Sequence, residues 1–291
     1  MRITNRHNLP RTIVNAIERD PYTRGNARIS VTGLLKPPRI GLLWSKHHEE
    51  IERDASEMIW ALFGQAIHAV LERGGDEEHI PEERLFIEVR GWVVSGQIDV
   101  QKIGTSYRIT DYKSTSAYSV MTDKPDWVSQ LNCYAHLLRE NGKDVESLHV
   151  CALVRDWNRH RASQSLDYPQ SPMVMVDIPL WSKEQAALFI AERVRVHQEA
   201  QADWDMGAAP DYCTDDERWM RRPTFAVMKK DNKRATKVFD NVSEAEAFAR
   251  DKGVNFHVET RPAEPIRCTG NYCSVAPWCE QFLAWKDQQN G

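Results

Sequence analysis

Three strand-like runs in close succession, followed by one amphipathic helix, most limit what this chain can fold into. RLFIEVRGWVV (84–94) is rich in β-formers, SGQIDVQKI (95–103) follows at once, and SYRITDYKS (106–114) comes after a Gly-Thr turn. DWVSQLNCYAHLLREN (126–141) then spaces Val128, Leu131, Tyr134, Ala135 and Leu138 along one helical face. Two further strand-like runs, LHVCALV (148–154) and MVMVDIPL (173–180), and a helical pattern near 182–203 complete this part. The pattern predicts an α/β core, with a mixed central sheet flanked by helices and its reactive face at one sheet edge.

Upstream, residues 11–18 read as a short helix, 28–34 as a short extended segment, and 46–74 as a long helix ended by Gly74 and Gly75. The stretch 222–261 has another texture: strand, strand, helix, strand, with Ser243 placed to cap the helix and Gly253 to end it. The expected division is a core over 1–210, a small αβ insertion over 211–265, and a cysteine-bearing segment over 266–291 that packs on the core.

The 291 residues suffice for one large domain or a medium domain plus a small one. No run approaches the roughly 20 apolar residues that span a bilayer, and the N-terminus lacks the apolar centre of a signal peptide, so the expected location is the cytoplasm. With a net charge of -4, whole-molecule electrostatics do not attract nucleic acid. Such a partner has to be held by local basic groups and metal ions.

The chemistry concentrates in Asp99, Asp111 and Lys113. Asp111 and Lys113 are two apart on a strand and leave the same face. Asp99, near the end of the preceding strand, converges on them if the strands are hairpin neighbours. Two carboxylates at one point repel unless a cation joins them. Magnesium-like ions favour oxygen ligands and keep places for water and phosphate, and such an ion activates water. Lys113 is placed to orient that water or offset negative charge in the transition state. His68, on the upstream helix, is a candidate nitrogen ligand, and small Gly64 and Ala61 on its face are expected to let that helix approach the sheet closely. Glu72 shares the face of His68, and Glu88 is a candidate further carboxylate. Gln130 and Tyr134 are one turn apart on the following helix.

In order, GQAIH, GQIDV, ITDYKS and QLNCYA span about residues 60–140 and resemble the RecB-type branch of the PD-(D/E)XK nuclease superfamily, which includes recombination, CRISPR-associated and phage enzymes. The resemblance implies a restriction-endonuclease-like core and a Mg2+- or Mn2+-dependent deoxyribonuclease. It implies metal ligation by His68, Asp99, Asp111 and the Tyr112 backbone carbonyl, with Lys113 as catalytic lysine and Gln130 and Tyr134 in support. An exonuclease acting on linear DNA ends in phage or prophage recombination is favoured, with a recombination or single-strand annealing protein as partner. The alternatives are a CRISPR-adaptation or restriction-type endonuclease, or a non-catalytic DNA-binding module.

Six cysteines in a chain of this kind do not suggest a disulfide framework. Several RecB-type nucleases carry an iron–sulfur cluster, with one cysteine before the histidine motif and three near the C-terminus. Here no cysteine precedes Cys133, and four residues follow Cys268 before Cys273, where two are usual; the step from Cys273 to Cys279 matches. Cys213 is a candidate fourth ligand, because the ends of a compact insertion lie close together. Four thiolates suit a 4Fe-4S cluster or zinc; otherwise they are small reduced hydrophobes. Cys133 and Cys151 read as core residues. Candidate DNA contacts are Arg155, Trp157, Arg159 and Arg161 in one loop, with Trp157 able to stack on an unpaired base. Arg218, Arg221 and Arg222 form a second group, and Lys229, Lys230, Lys233, Arg234 and Lys237 a third.

Overall fold

The computed structural model describes residues 1–290. The chain forms two compact units, one of Met1–Gly41 with His48–Pro210, the other of Leu42–His47 with the residues from Asp211 onward.

The first unit includes, after a short strand at Arg2–Thr4, α1 (Arg11–Glu18), β1 (Ile29–Ser30) and the short α2 (Val31–Leu34). It continues with α3 (Ile59–Leu71), β2 (His79–Val89), β3 (Trp92–Lys102) and β4 (Tyr107–Thr115). Then come α4 (Pro125–Glu140), β5 (Val145–Val154), β6 (Met173–Ile178) and α5 (Lys183–Asp205). Its six-stranded sheet runs β1-β3-β4-β5-β6, with β2 also paired to β3. Pairing is mixed: β1 with β3 and β4 with β5 are parallel, and the rest antiparallel. This is the mixed α/β architecture expected.

The core lies where α4 covers the sheet. Leu131, Leu137 and Leu138 of α4 meet Ile98, Ile109, Leu148 and Val150 of the strands, all essentially inaccessible. Full burial of each such side chain contributes about 1.5–3 kcal/mol. The approach is close at Gly96, where a Cβ would lie 2.9 Å from both Leu137 and Tyr134. Buried Asn132 ties α4 to the end of β6: its amide donates to the Val128 and Pro179 carbonyls, and its oxygen accepts from the Trp181 N–H.

Several boundaries differ from the sequence reading. The runs 84–94 and 95–103 do not break at residue 94. The chain turns at Arg90 and Gly91, with φ of 52° and 77°. Two successive positive φ values match the right-handed twist of a hairpin, and an Arg-Gly pair within β-formers gives a weak turn signal. The long helix over 46–74 is also shorter, with α3 starting at Ile59. Before it, Glu52–Asp54 pairs with Arg2–Thr4, and Asp54 caps a 3₁₀ turn over Ala55–Met58. The Asp54 carboxylate accepts from the Arg6 and Ser56 N–H groups; this local bonding competes with helix. In 28–34, Ile29–Ser30 is strand, but the Ser30 hydroxyl accepts the Gly33 N–H and starts α2.

In the second unit, β7 (Thr224–Lys229), β8 (Ala235–Phe239), α6 (Val242–Lys252) and β9 (Phe256–Arg261) follow the predicted strand, strand, helix, strand order. The antiparallel sheet runs β8-β7-β9, and Val227, Ala245 and Ala249 are buried among Phe225, Phe239, Phe248 and Phe256. The cap of α6 is Asn241 rather than Ser243: its side chain accepts from the Ser243 and Glu244 N–H groups. Gly253, at φ 96°, ends the helix as expected. Among the described residues no helix is long and apolar enough to cross a membrane.

Candidate active site

The site follows from where one ladder stops. β3 pairs with β4 only from Val100↔Thr110 to Lys102↔Arg108. The next row in that register sets Asp99 opposite Asp111, and there the strands diverge. On the other side of β3, Pro81↔Val100 and Glu83↔Ile98 are paired, which sets Glu82 opposite Asp99. Three carboxylates thus share one row across three strands. Like charges directly opposite one another are destabilising, so this row needs cations.

Two come from the protein. The Lys113 ammonium lies 2.6 Å from Asp111 Oδ2. His68 Nδ1 lies 3.0 Å from Glu82 Oε1 and 3.6 Å from Asp99 Oδ1. Glu82 is held at φ 53°, a left-handed conformation uncommon for a residue with a side chain and frequent at functional sites. The Gln97 amide donates to its second oxygen at 2.6 Å.

Asp99 is 9% exposed and Asp111 1%. The Tyr112 N–H donates to Asp99 Oδ2 at 2.7 Å. In an extended strand the N–H and C=O of one residue point to the same side, which puts the Tyr112 carbonyl on the β3 side of β4. Gln130 Nε2 lies 3.4 Å from Asp111 Oδ1 and donates to the Tyr134 hydroxyl at 2.9 Å. Both sit on α4 above Gly96.

These contacts bias the charges. Burial, and then the neighbouring Asp111 carboxylate, pushes Asp99 up to about 7. The hydrogen bond to Glu82 raises His68 above its ordinary value against the effect of burial, with Asp99 adding to the rise. Burial opposes ionisation of Glu82, but hydrogen bonds from His68 and Gln97 bring it below the usual range. Burial pushes the Tyr134 hydroxyl well up, so it stays protonated.

One oxygen each from Glu82 and Asp99 and a ring nitrogen of His68 lie within 4.8 Å of one another. That spacing suits one divalent cation at the usual 2.0–2.6 Å from each donor. The three residues line a cleft of about 700 Å³ together with Asp111, Lys113, Gln130 and Tyr134.

Residues 52–280 match the family model described as the PD-(D/E)XK nuclease superfamily. The chain belongs to the PD-(D/E)XK nuclease superfamily. Nucleases of this superfamily use divalent metals, and the mixed sheet flanked by helices is restriction-endonuclease-like. A solved structure titled "Crystal structure of SSO0001" aligns over 71% of this chain and 88% of that chain, at 14% identity and a TM-score of 0.46. No curated protein matches the chain.

In this PD-(D/E)XK protein the structure brings together His68, Asp99, Asp111, Tyr112, Lys113, Gln130 and Tyr134. It adds Glu82, which the sequence reading missed. Glu88, the candidate further carboxylate, is exposed and paired with Val93, six residues from Glu82 and hence about 20 Å along the strand, away from the site. The signal for Glu82 was its position in register, which required the Arg90–Gly91 turn to be placed. Glu72 is exposed and lines the cleft. Gly64 does not bring α3 against the sheet: among the described residues nothing lies within 4 Å of a Cβ built there. The close-approach glycine is Gly96.

Trp157 is half-buried against Ala117, Val154, Ala162 and Tyr168, and its indole N–H donates to the Pro169 carbonyl at 2.7 Å. Arg159 and Arg161 are exposed, and exposed Arg155 lies 4.1 Å over the Trp60 ring. In the second unit Cys268, Cys273 and Cys279 are free thiols, and Cys213 is half-buried. Burial, and then Cys273 and Cys279, push Cys268 up to about 11. Gln281 clamps the Cys213 backbone, accepting its N–H and donating to its carbonyl. Cys133 and Cys151 are buried, as the sequence suggested.

Proposed function

We propose that the protein is a Mg2+- or Mn2+-dependent deoxyribonuclease that acts as an exonuclease on linear DNA ends. The observation that supports this reading is the row of Glu82, Asp99 and Asp111, with His68 and Lys113 beside it in one cleft. The donor set, mostly carboxylate oxygen with one imidazole, suits magnesium or manganese. His68, Asp99, Asp111 and the Tyr112 carbonyl would hold the ion, with Glu82 on His68 or on the ion itself. A bound divalent ion lowers the pKa of water and neutralises charge developing on phosphate.

Within this reading, Lys113 orients the attacking water and offsets the charge building on the phosphate oxygens. The water oxygen bonds to phosphorus, the bond from phosphorus to one sugar oxygen breaks, and that oxygen departs carrying a proton. Asp111 places the Lys113 ammonium. Gln130 and Tyr134 hold Asp111 from the α4 side, and the protonated Tyr134 hydroxyl keeps the Gln130 amide in place.

We also propose that Cys213, Cys268, Cys273 and Cys279 bind a 4Fe-4S cluster or zinc, and that Arg155, Arg159 and Arg161 contact DNA phosphates. Protein purified anaerobically and brown would support the cluster; a colourless protein with stoichiometric zinc would support zinc; absence of both metals would refute the site. A role in phage or prophage recombination, in the cytoplasm and beside a single-strand annealing protein, suits an end-processing enzyme.

The main test uses end-labelled linear DNA and a covalently closed circle, with and without magnesium. Shortening of linear DNA that needs metal and is lost in Asp111→Ala is expected. Cutting of the circle would favour an endonuclease, and full activity in Asp111→Ala would overturn the mechanism.

A further inference from the structure

We propose that Trp60, Phe63 and Arg155 form a stacking platform for unpaired bases beside the cleft, so that the enzyme grips a single-stranded DNA end. The proposal rests on the DNA-nuclease reading and names the form of substrate that the site takes.

The starting observation is α3 itself. Its sequence, IWALFGQAIHAVL, is strongly apolar, yet none of its residues is buried. An apolar helix ordinarily hides its apolar stripe, and an uncovered one marks a binding surface. Trp60 is 60% exposed and Phe63 45%. Their rings meet edge to face, with centroids 6.5 Å apart.

Position ties this pair to the chemistry. Trp60, Gly64 and His68 are spaced four apart and form one row along the helix. Gly64 leaves open space between the indole and the imidazole, and it lines the cleft with Ala61. Eight residues of helix separate Trp60 from His68 by about 12 Å, roughly three to four stacked nucleotides at 3.4 Å each.

Charge names the occupant. The Arg155 guanidinium lies 4.1 Å over the Trp60 ring. Its backbone N–H donates to the Thr115 carbonyl, at the end of the strand that carries Asp111 and Lys113. A second protein copy seated on this helix would bury that cation against apolar surface, which is costly without a partner. A strand of nucleic acid satisfies both features, since its bases stack on aromatic faces and its phosphates pair with guanidinium. In a duplex the base faces are already stacked, so the platform selects unpaired ends.

The test uses Lys113→Ala protein with magnesium, in which cleavage should be slowed at least about 100-fold, and fluorescence anisotropy, read before cleavage sets in, with a labelled single-stranded oligonucleotide and a blunt duplex. Trp60→Ala in that background should weaken single-strand binding about 10-fold, with a smaller loss in Phe63→Ala. Trp60→Phe should recover most of the affinity, and blunt-duplex binding should stay within about twofold. Both aromatics are exposed, so thermal melts should be unchanged. Unaltered single-strand affinity in both alanine variants would overturn the platform, as would an equal loss on the blunt duplex. Self-association of the unmutated protein that Trp60→Ala abolishes would assign the surface to a second copy and overturn it too. These failures are separable from failure of the nuclease reading, which would show as absence of metal-dependent cleavage by the protein with Lys113 intact.

Discussion

Glu82 and Asp99 face each other across the β2–β3 hairpin, and one imidazole serves both: His68 Nδ1 lies 3.0 Å from the first and 3.6 Å from the second. The hairpin therefore orients a side chain that belongs to a helix. Glu82→Gln keeps the shape but removes the charge. His68 should then titrate lower than in the unmutated protein, followed by NMR. Manganese affinity, measured by calorimetry, should fall about 10- to 100-fold, as for other groups that orient metal ligands. Unchanged affinity would mean that Glu82 is a bystander.

Lys113 has two duties that separate experimentally. Its ammonium pairs with Asp111, which is 1% exposed. Lys113→Ala should reduce cleavage at least about 100-fold and also leave a buried carboxylate unpaired, at a cost of about 1–3 kcal/mol in metal-free protein. Magnesium should recover part of that loss, so the rise in Tm on adding metal should be larger in the variant. An equal rise would remove the ion pair from the account.

The pH dependence of the metal-free protein has a definite sign. Asp99 is raised to about 7 by burial and by Asp111, and His68 is raised by Glu82. A group with a raised folded-state pKa contributes stability below its unfolded value and loses it as pH rises through the folded value. Both groups act in the same direction. Metal-free protein should therefore lose stability as pH climbs from about 4 through 7, where Asp99 ionises, with His68 adding to the loss above its ordinary value, and a divalent ion should cancel the loss by replacing the protons. Melting curves across that range, with EDTA and with magnesium, check this. Calorimetry in two buffers should also detect proton release on metal binding near pH 6.

Two glycines should respond oppositely to alanine. At Gly96 the added methyl would meet Tyr134 and Leu137 at 2.9 Å. Gly96→Ala should cost about 1–3 kcal/mol and lower activity by displacing Tyr134 and with it Gln130. At Gly64 no described residue lies within 4 Å, and Gly64→Ala in a helix should gain up to about 1 kcal/mol. Chemical denaturation of both proteins decides the matter, and equal effects would contradict the packing described.

Much of this was legible in the chain. The strands bearing Asp99 and Asp111, helix α4, and the four elements of the second unit follow from apolar period and turn residues, which are local properties. Asp111 and Lys113 share a face because alternate residues of a strand must. The misreadings arose where local preference was overridden. Asp54, bonded to residues some fifty positions away, replaced helix by a strand and a turn. Positive φ at Arg90 moved a hairpin turn that the β-forming composition concealed.

By itself, then, the sequence determined which elements form and which chemical groups they carry, because helix and strand periods depend on near neighbours. Only the tertiary structure decided that Glu82 rather than Glu88 joins the acidic row, that Gly96 and not Gly64 is the point of close approach, and that Trp60 is left open while Trp157 packs. Each of these depends on strand register or on what covers a face, and both are settled by contacts between residues far apart in the chain.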